Sequence, residues 1–202
     1  MEDGGSGSFS AWTEMSGNVQ SAVTQHINED GELSWIGGVE LSANFSNFRM
    51  SPRIVVAENS QELMAVWNES NASQSQRGVY AQRLDGNGNR LWGMNGLPVK
   101  SLNNNFDYLD LSIASIGEEM IVAYIQQSTN MSGDIYAIRL DADGNAAWMG
   151  GEIVEVTSLN SITDFEDEKT ITAYLEFLQG YPGIIIGVNG NHFRLFNWLY
   201  FW

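Results

Sequence analysis

The sequence predicts an all-β protein built from repeated four-stranded antiparallel sheets, and an internal repeat is the first observation that supports this. Residues 79–92 read VYAQRLDGNGNRLW and return at 135–148 as IYAIRLDADGNAAW. A weaker third copy, VTQHINEDGELSW, ends at Trp35. Tyr80 and Tyr136 hold the same position of the repeat and give it a period of about 56 residues, which is typical of propellers, solenoids and arrays.

Strand and turn signals within each copy are the second observation. Leu109, Leu111 and Ile113 alternate with polar residues, which is the period of a half-buried strand. Asp-Gly and Asn-Gly pairs follow the predicted strands, and glycine there accepts the positive φ of a tight turn. Four short strands in each unit would make one propeller blade. We therefore predict a β-propeller-like array of about three and a half to four blades.

The predicted organisation is a single repeat domain behind a short lead. Residues 1–8 are rich in glycine, serine and acidic residues, which predicts a flexible lead. Residues 9–202 are predicted to form one domain, because the repeat continues through them without a linker. The predicted units are about 9–43, 48–101, 106–158 and 162–202.

The two ends of the array are less regular than its middle. The first unit begins too late to include its own first strand. We expect the C-terminal segment to supply it, with a second chain or a longer protein as alternatives, because an open array leaves unpaired edges. Residues 164–180 fit an amphipathic helix as well as a strand, and the repeat register favours the strand. Asn189-Gly190 predicts a C-terminal hairpin.

Composition and charge exclude several classes of function. The chain carries 9 basic and 25 acidic residues, a net charge of −16, which argues against a nucleic-acid partner and an anionic membrane surface. Cations and neutral ligands such as glycans remain compatible. There is no cysteine, which excludes disulfides and thiol chemistry. No apolar run approaches the ~18 residues of a membrane helix, and MEDGGSGSFS is not expected to be a signal peptide.

The unit at residues 135–148 resembles the repeats of bacterial exported β-propeller-like proteins. That resemblance implies an extracellular or cell-envelope location. The same string is similar to the tryptophan-docking motif of quinoprotein-type propellers, in which the tryptophan locks neighbouring blades together. The similarity implies structural roles for the repeat tryptophans, and no quinone ligands have a counterpart in this sequence. The predicted repeat anchors are Trp35, Tyr80, Trp92, Tyr136 and Trp148.

Calcium is the one cofactor for which the sequence offers candidate ligands. Asp85 and Asn87, and then Asp141 and Asp143, place oxygen-bearing side chains at alternate positions of a glycine-containing loop. Calcium takes six to eight such oxygens. However, the later bidentate acid of a calcium loop is missing, and tight turns favour the same residue types. We therefore predict that these residues form turns and that the chain has no cofactor.

No catalytic residue can be assigned from the sequence. His26 and His192 are isolated, and no nucleophile motif accompanies them. Arg83 and Arg139 recur at one strand position, so each is expected to pair with a neighbouring acid rather than to bind a ligand.

Two functions compete on these observations. The favoured one is a non-catalytic binding or scaffold module of an exported or cell-surface protein, with a glycan or another protein as ligand, acting as a monomer or a ring-completing dimer. The alternative is a fragment of a carbohydrate-active propeller enzyme. A cleft with two carboxylates roughly 5–10 Å apart would favour the enzyme.

Overall fold

The computed structural model of the chain describes residues 1–58, 60, 62–128, 133–148, 153–157, 171–174, 184–189 and 192–197. These residues form fourteen β-strands and no helix, so none of them offers an apolar helix of membrane-spanning length. The strands are β1 (Ser8–Ser16), β2 (Val19–Ile27), β3 (Val39–Glu40), β4 (Phe48–Val56), β5 (Leu63–Ser70), β6 (Arg77–Leu84), β7 (Leu97–Asn103), β8 (Phe106–Ile116), β9 (Glu119–Ser128), β10 (Gly133–Leu140), β11 (Val154–Thr157), β12 (Ile171–Tyr174), β13 (Ile184–Asn189) and β14 (His192–Asn197).

The strands pair into four small antiparallel sheets that follow the chain order. The first sheet is β1-β2-β3, the second β4-β5-β6-β7, the third β8-β9-β10-β11 and the fourth β12-β13-β14. The prediction of four-stranded meanders for the second and third units is confirmed. One hydrophobic core lies between the first and second sheets, and a larger one lies between the second and third.

A five-residue turn recurs after β2, β6 and β10 in the first three sheets. In the second sheet, the Asp85 amide donates to the Asn89 carbonyl at 3.0 Å and the Gly88 amide donates to the Asp85 carbonyl at 2.9 Å. The same two backbone bonds recur in the first sheet and in the third. The equivalent residues are Asn28, Gly31 and Glu32 in the first turn, and Asp141, Gly144 and Asn145 in the third.

Two of the repeat tryptophans lie between neighbouring sheets. Trp35 is 5% exposed, and its indole Nε1 donates to the carbonyl of Gly86 in the turn of the second sheet at 3.2 Å. Trp92 is also 5% exposed and donates to the carbonyl of Ala142 in the turn of the third sheet at 2.9 Å. The two indoles therefore occupy equivalent places, and the predicted burial of Trp92 is confirmed.

Each of these indoles rests on a glycine of the neighbouring turn. A Cβ on Gly88 would lie 3.2 Å from the ring of Trp35, and one on Gly144 would lie 3.3 Å from the ring of Trp92. The two glycines have φ angles of 81° and 84°, which a side chain would strain. Conformation and space both require glycine at this position.

Each of these two tryptophans has its backbone hydrogen-bonded to a buried glutamine of the same sheet. Gln82 accepts from the Trp92 amide at 2.9 Å, and its Nε2 donates to the Gly93 carbonyl at 2.7 Å. Gln25 accepts from the Trp35 amide at 3.1 Å and donates to the Trp35 carbonyl at 2.6 Å. The glutamine therefore fixes the backbone from which each indole reaches the next sheet.

Trp148 differs from the other two, because it is only half-buried. It is a predicted repeat anchor like Trp92, and its side chain is partly buried, less deeply than that of Trp92. Its unit has Ile138 where the second unit has Gln82, and an isoleucine side chain cannot bond to the backbone of the tryptophan. The position of the next unit that corresponds to Ala142 lies outside the described residues.

The first eight residues, predicted to be a flexible lead, fold back onto the first sheet. The Phe9 amide donates to the Met1 carbonyl at 2.7 Å. Asp3 is buried, accepts from the Gly7 amide at 3.0 Å and lies 2.8 Å from His26 Nε2. The hydrogen bond from His26 is the main cause that lowers the pKa of Asp3 below its ordinary value. One carboxylate thus ties the segment to β2.

The C-terminal strands do not complete the first sheet in the described residues, contrary to the expectation from the repeat. β14 pairs with β13 and lies beside β8, and β2 is the strand neighbour of β1. Trp12 of β1 is 39% exposed, whereas Trp67, at the equivalent place in the second sheet, is fully buried in the core between the first and second sheets. Within 164–180, Ile171–Tyr174 is a strand as predicted, and the other residues lie outside the described ones.

Replacing Trp92 by alanine should lower the free energy of unfolding by about 3–5 kcal/mol, because deleting a buried aromatic leaves a cavity between two sheets. Trp148→Ala should cost less, because that side chain is less deeply buried. Denaturant titrations of the two variants measure both losses. Equal losses would contradict the difference in burial between the two tryptophans.

Candidate functional site

A cleft of about 180 Å³ lies between the second and third sheets and is the best candidate for a site. Met50 of β4 lines one wall, and Tyr108 and Leu109 of β8 line the other. The loop between β5 and β6 contributes Gln74. Two different repeats therefore build the cleft, and it exists only because their sheets are held together.

The backbone around the cleft is bent and strained. The pairing of β4 with β5 shifts register between Met50 and Arg53, and that of β8 with β9 shifts between Leu109 and Ser112. Such bulges bend a strand and re-aim its side chains. The described non-glycine residues with positive φ all line the cleft or adjoin a lining residue: Ser51 (54°), Gln74 (56°) and Asp110 (50°). Strain of this kind gathers at functional sites.

Glu69 is a buried carboxylate in the wall of the cleft, 2% exposed. Its Oε1 accepts from the side-chain amides of Asn44 at 3.2 Å and Asn47 at 2.6 Å. Its Oε2 accepts from the indole Nε1 of Trp67 at 3.0 Å. Three donors thus offset the cost of burying the charge, and both oxygens are engaged.

An exposed ion pair joins the two walls. Arg77 Nε of β6 lies 2.7 Å from Asp107 Oδ1 of β8, and the two side chains are 45% and 51% exposed. A pair this exposed contributes little stability, since water and salt screen it. The guanidinium keeps further N–H donors, so the pair can rearrange around a bound group at small cost.

Two polar atoms of the wall lack a hydrogen-bond partner. They are Ser70 Oγ and Asn68 Oδ1, and both are buried. An unpaired buried polar group costs about 1–3 kcal/mol, so native proteins rarely leave two together without a reason. Both residues line the cleft but these atoms are buried, so a water or a ligand there can bond to them only after the side chain turns toward the cleft.

The tyrosines near the cleft are neutral hydrogen-bonding groups at ordinary pH. Burial raises the pKa of Tyr108, although Asn103 Nδ2 donates to its hydroxyl at 2.6 Å. Burial, and then the charge of Glu69, raise the pKa of Tyr80. Neither phenol is therefore suited to act as a base in solution near neutral pH.

The repeat anchors predicted from the sequence lie in the packing between strands and sheets. Tyr80 is half-buried and stacks on Trp67 with ring centroids 6.1 Å apart. Tyr136 is half-buried and stacks on Tyr124 at 6.0 Å, which is the equivalent pair of the third sheet. These aromatic residues shape the sheets, whereas other residues line the cleft.

The predicted pairing of the repeated arginines with acids is confirmed. Arg83 is buried and bridges Glu62 of its own sheet and Glu118 of the third sheet. Arg139 pairs with Glu119. The link from Arg83 to the third sheet is a second tie across the interface that contains the cleft.

The calcium candidates lie in the turns, where the carboxylates of Asp85 and Asp141 accept hydrogen bonds and Asn87 and Asp143 contribute backbone amides. Asp85 Oδ1 accepts from the amides of Asn87 at 2.9 Å and Asn89 at 2.8 Å, and its Oδ2 accepts from Asn89 Nδ2 at 2.8 Å. Asp141 makes the same three bonds with Asp143 and Asn145. No group of three or more potential metal-binding side chains occurs among the described residues.

The pKa values of the two turn aspartates follow from these bonds. The backbone amide of Asn145 is the main cause that lowers the pKa of Asp141. For Asp85, burial raises the pKa, but the hydrogen bonds from Asn89 and Asn87 together outweigh it and the pKa falls. The ionised carboxylates therefore make their full contribution to stability at pH values above the ordinary aspartate pKa. This contribution is lost as the pH falls through the lowered pKa of the folded state.

Sequence reasoning missed the cleft residues. The stretch from Asn68 to Gln76 is visibly polar, which predicts a loop but no site. Tyr108 and Leu109 read as ordinary strand residues of the next repeat. Only the contact between the two sheets brings the polar loop and this strand together.

Comparisons with known proteins add little to this geometry. No protein-family model matches the chain, and no curated protein matches it. Among solved structures, the crystal structure of alpha-L-arabinofuranosidase from Lactobacillus brevis is similar at 10% identity with a TM-score of 0.43. The similarity covers 93% of this chain and 60% of that chain. A TM-score this low does not show a shared fold, and nothing about this chain rests on it.

Replacing Asp85 by asparagine should lower stability at pH 7 only modestly. The Oδ1 bonds to two backbone amides are kept, as at Asn28 in the first unit. The charge and the bond from Asn89 Nδ2 to Oδ2 are lost. Asp85→Ala should lower the melting temperature, since those amides lose their acceptor. Adding calcium should shift neither melting curve. A calcium-dependent rise in the wild type that Asp85→Asn removes would contradict the assignment of these residues to turns.

Proposed function

We propose that the chain is a non-catalytic binding module of an exported or cell-surface protein, with the cleft between the second and third sheets as its binding site. The observation that carries the proposal is the wall of that cleft. It combines two unsatisfied polar atoms with a strained backbone, and it joins two neighbouring antiparallel sheets. The exported location rests on the resemblance of the repeat.

The state of the carboxylates favours binding over catalysis. Glycoside hydrolysis needs one carboxyl group to protonate the leaving oxygen and a second to act as base or nucleophile. Glu69 and Asp107 line the same cleft, which is the observation in favour of a carbohydrate-active enzyme. However, three donors engage the oxygens of Glu69, and Arg77 engages Asp107. Neither carboxylate faces the cleft unpaired.

The assembly of the proposed module follows from the outer edge of the first sheet, where, in the described part of the chain, Met1 and Glu2 pair only with the start of β1. β1 has β2 as its strand neighbour, and Trp12 beside that edge is 39% exposed. The chain acts as a monomer or as a dimer in which a second copy completes the ring. The net charge of −16 favours neutral or cationic partners over nucleic acid.

A screen of glycans and peptides against matched variants tests the proposal. Leu109→Arg places a long charged side chain in the cleft, whereas Leu91→Arg makes the same change at a leucine that is similarly exposed, 46% against 39%, and outside the cleft lining. We expect a ligand of the wild type to bind about tenfold or more weakly to Leu109→Arg, and unchanged to Leu91→Arg.

Two results would contradict this function. A ligand whose affinity is the same for Leu109→Arg and the wild type would place binding elsewhere. Release of reducing sugar from a glycan, abolished by Glu69→Gln, would instead support the carbohydrate-active alternative.

A further inference from the structure

We infer that the cleft takes a neutral, polyhydroxylated group the size of one sugar ring. This inference rests on the proposed binding function and names the chemistry of its ligand. Charge, hydrogen-bonding capacity, apolar lining and size each contribute to it.

Charge limits the ligand to a neutral group. The charged side chains in the lining are Glu69, Asp107 and Arg77, so carboxylates outnumber cations. An anionic ligand would meet this excess together with the net charge of the chain. A cationic ligand would find Glu69 already engaged by Asn44, Asn47 and Trp67, and it would have to compete with Arg77 for Asp107.

The free hydrogen-bonding groups match hydroxyls. Ser70 Oγ can donate and accept, and Asn68 Oδ1 can accept; neither has a partner in the protein. The side chain of Gln74 is exposed at the cleft and adds a donor and an acceptor. A hydroxyl both donates and accepts, so a ring that carries several hydroxyls can pair with all three residues.

The rest of the lining suits the carbon face of such a ring. Met50, Tyr108 and Leu109 supply apolar surface beside the polar groups. A sugar ring presents the same combination, with C–H groups on its faces and hydroxyls around its edge. The volume of about 180 Å³ is below the ~300–1,000 Å³ of pockets that hold drug-sized ligands. One ring fits this space better than a folded peptide segment.

Ligand-observed NMR and calorimetry with methyl glycosides test the inference. The probes are neutral methyl hexosides and pentosides, with methyl glucuronide and glucosamine as charged counterparts. The wild type should bind at least one neutral glycoside with a Kd below about 10 mM and the charged counterparts about tenfold more weakly.

Variants locate the contact. Ser70→Ala should weaken glycoside binding about five- to tenfold, the loss expected for one hydrogen bond. It should not lower the melting temperature, because it removes a hydroxyl that has no partner in the protein. If Ser70 had a purely structural role, Ser70→Ala would instead lower the melting temperature. Gln74→Ala should weaken binding, whereas Asn104→Ala, at an exposed bend without a lining role, should not.

Three results would overturn the inference. The first is that no neutral glycoside binds, which would mean that only water satisfies Ser70 and Asn68. The second is binding that Ser70→Ala and Gln74→Ala leave unchanged. The third is tighter binding of a charged probe. If glycosides fail while a peptide binds in a manner that Leu109→Arg abolishes, the sugar ligand is wrong and the binding function stands.

Discussion

The contact between an indole and the turn of the next sheet is the interaction on which the rest of the structure depends. A small sheet has two faces, and a sheet whose apolar face stays open to water is not stable until a neighbour covers that face. Burying one tryptophan removes about 150–250 Å² from water, whereas an exposed ion pair such as Arg77–Asp107 adds less than about 1 kcal/mol. Apolar burial therefore dominates, and the Nε1 bonds of Trp35 and Trp92 fix where each indole lies.

The cleft is a consequence of this docking. Trp92 and the buried Arg83 hold the second sheet to the third, and the bulged strands β4 and β8 meet there with their bent segments side by side. The αL residues Ser51 and Asp110 occur at equivalent places, so the bend belongs to the repeat. Gln74 and the unpaired Ser70 are residues of the second unit, and they supply polar groups to this interface.

The sequence predicts the fold better than the site because the two are encoded differently. Strand alternation, Asp-Gly turns and the tryptophan at a fixed offset are local patterns, and each predicts its structure within one repeat. Trp148 shows the limit, because it stands at the same offset as Trp92 but is less deeply buried, and Ile138 replaces the glutamine that bonds to the backbone of Trp92. The cleft brings Ser70 of the second sheet close to Tyr108 of the third sheet. No pattern within one repeat predicts that these two residues meet.

A double-mutant cycle between Trp92 and Gly144 tests the docking most directly. Gly144→Ala strains a residue with φ of 84° and crowds Leu97 Cδ1 in either background, but it meets the indole ring only when Trp92 is present. The cycle compares the cost of Gly144→Ala in the wild type with its cost in Trp92→Ala. The backbone strain is common to both and cancels. The contact between the new methyl group and the indole remains, and it should appear as a coupling free energy of about 1 kcal/mol or more. Losses that add to within about 0.3 kcal/mol would contradict the docking of this indole on the neighbouring turn.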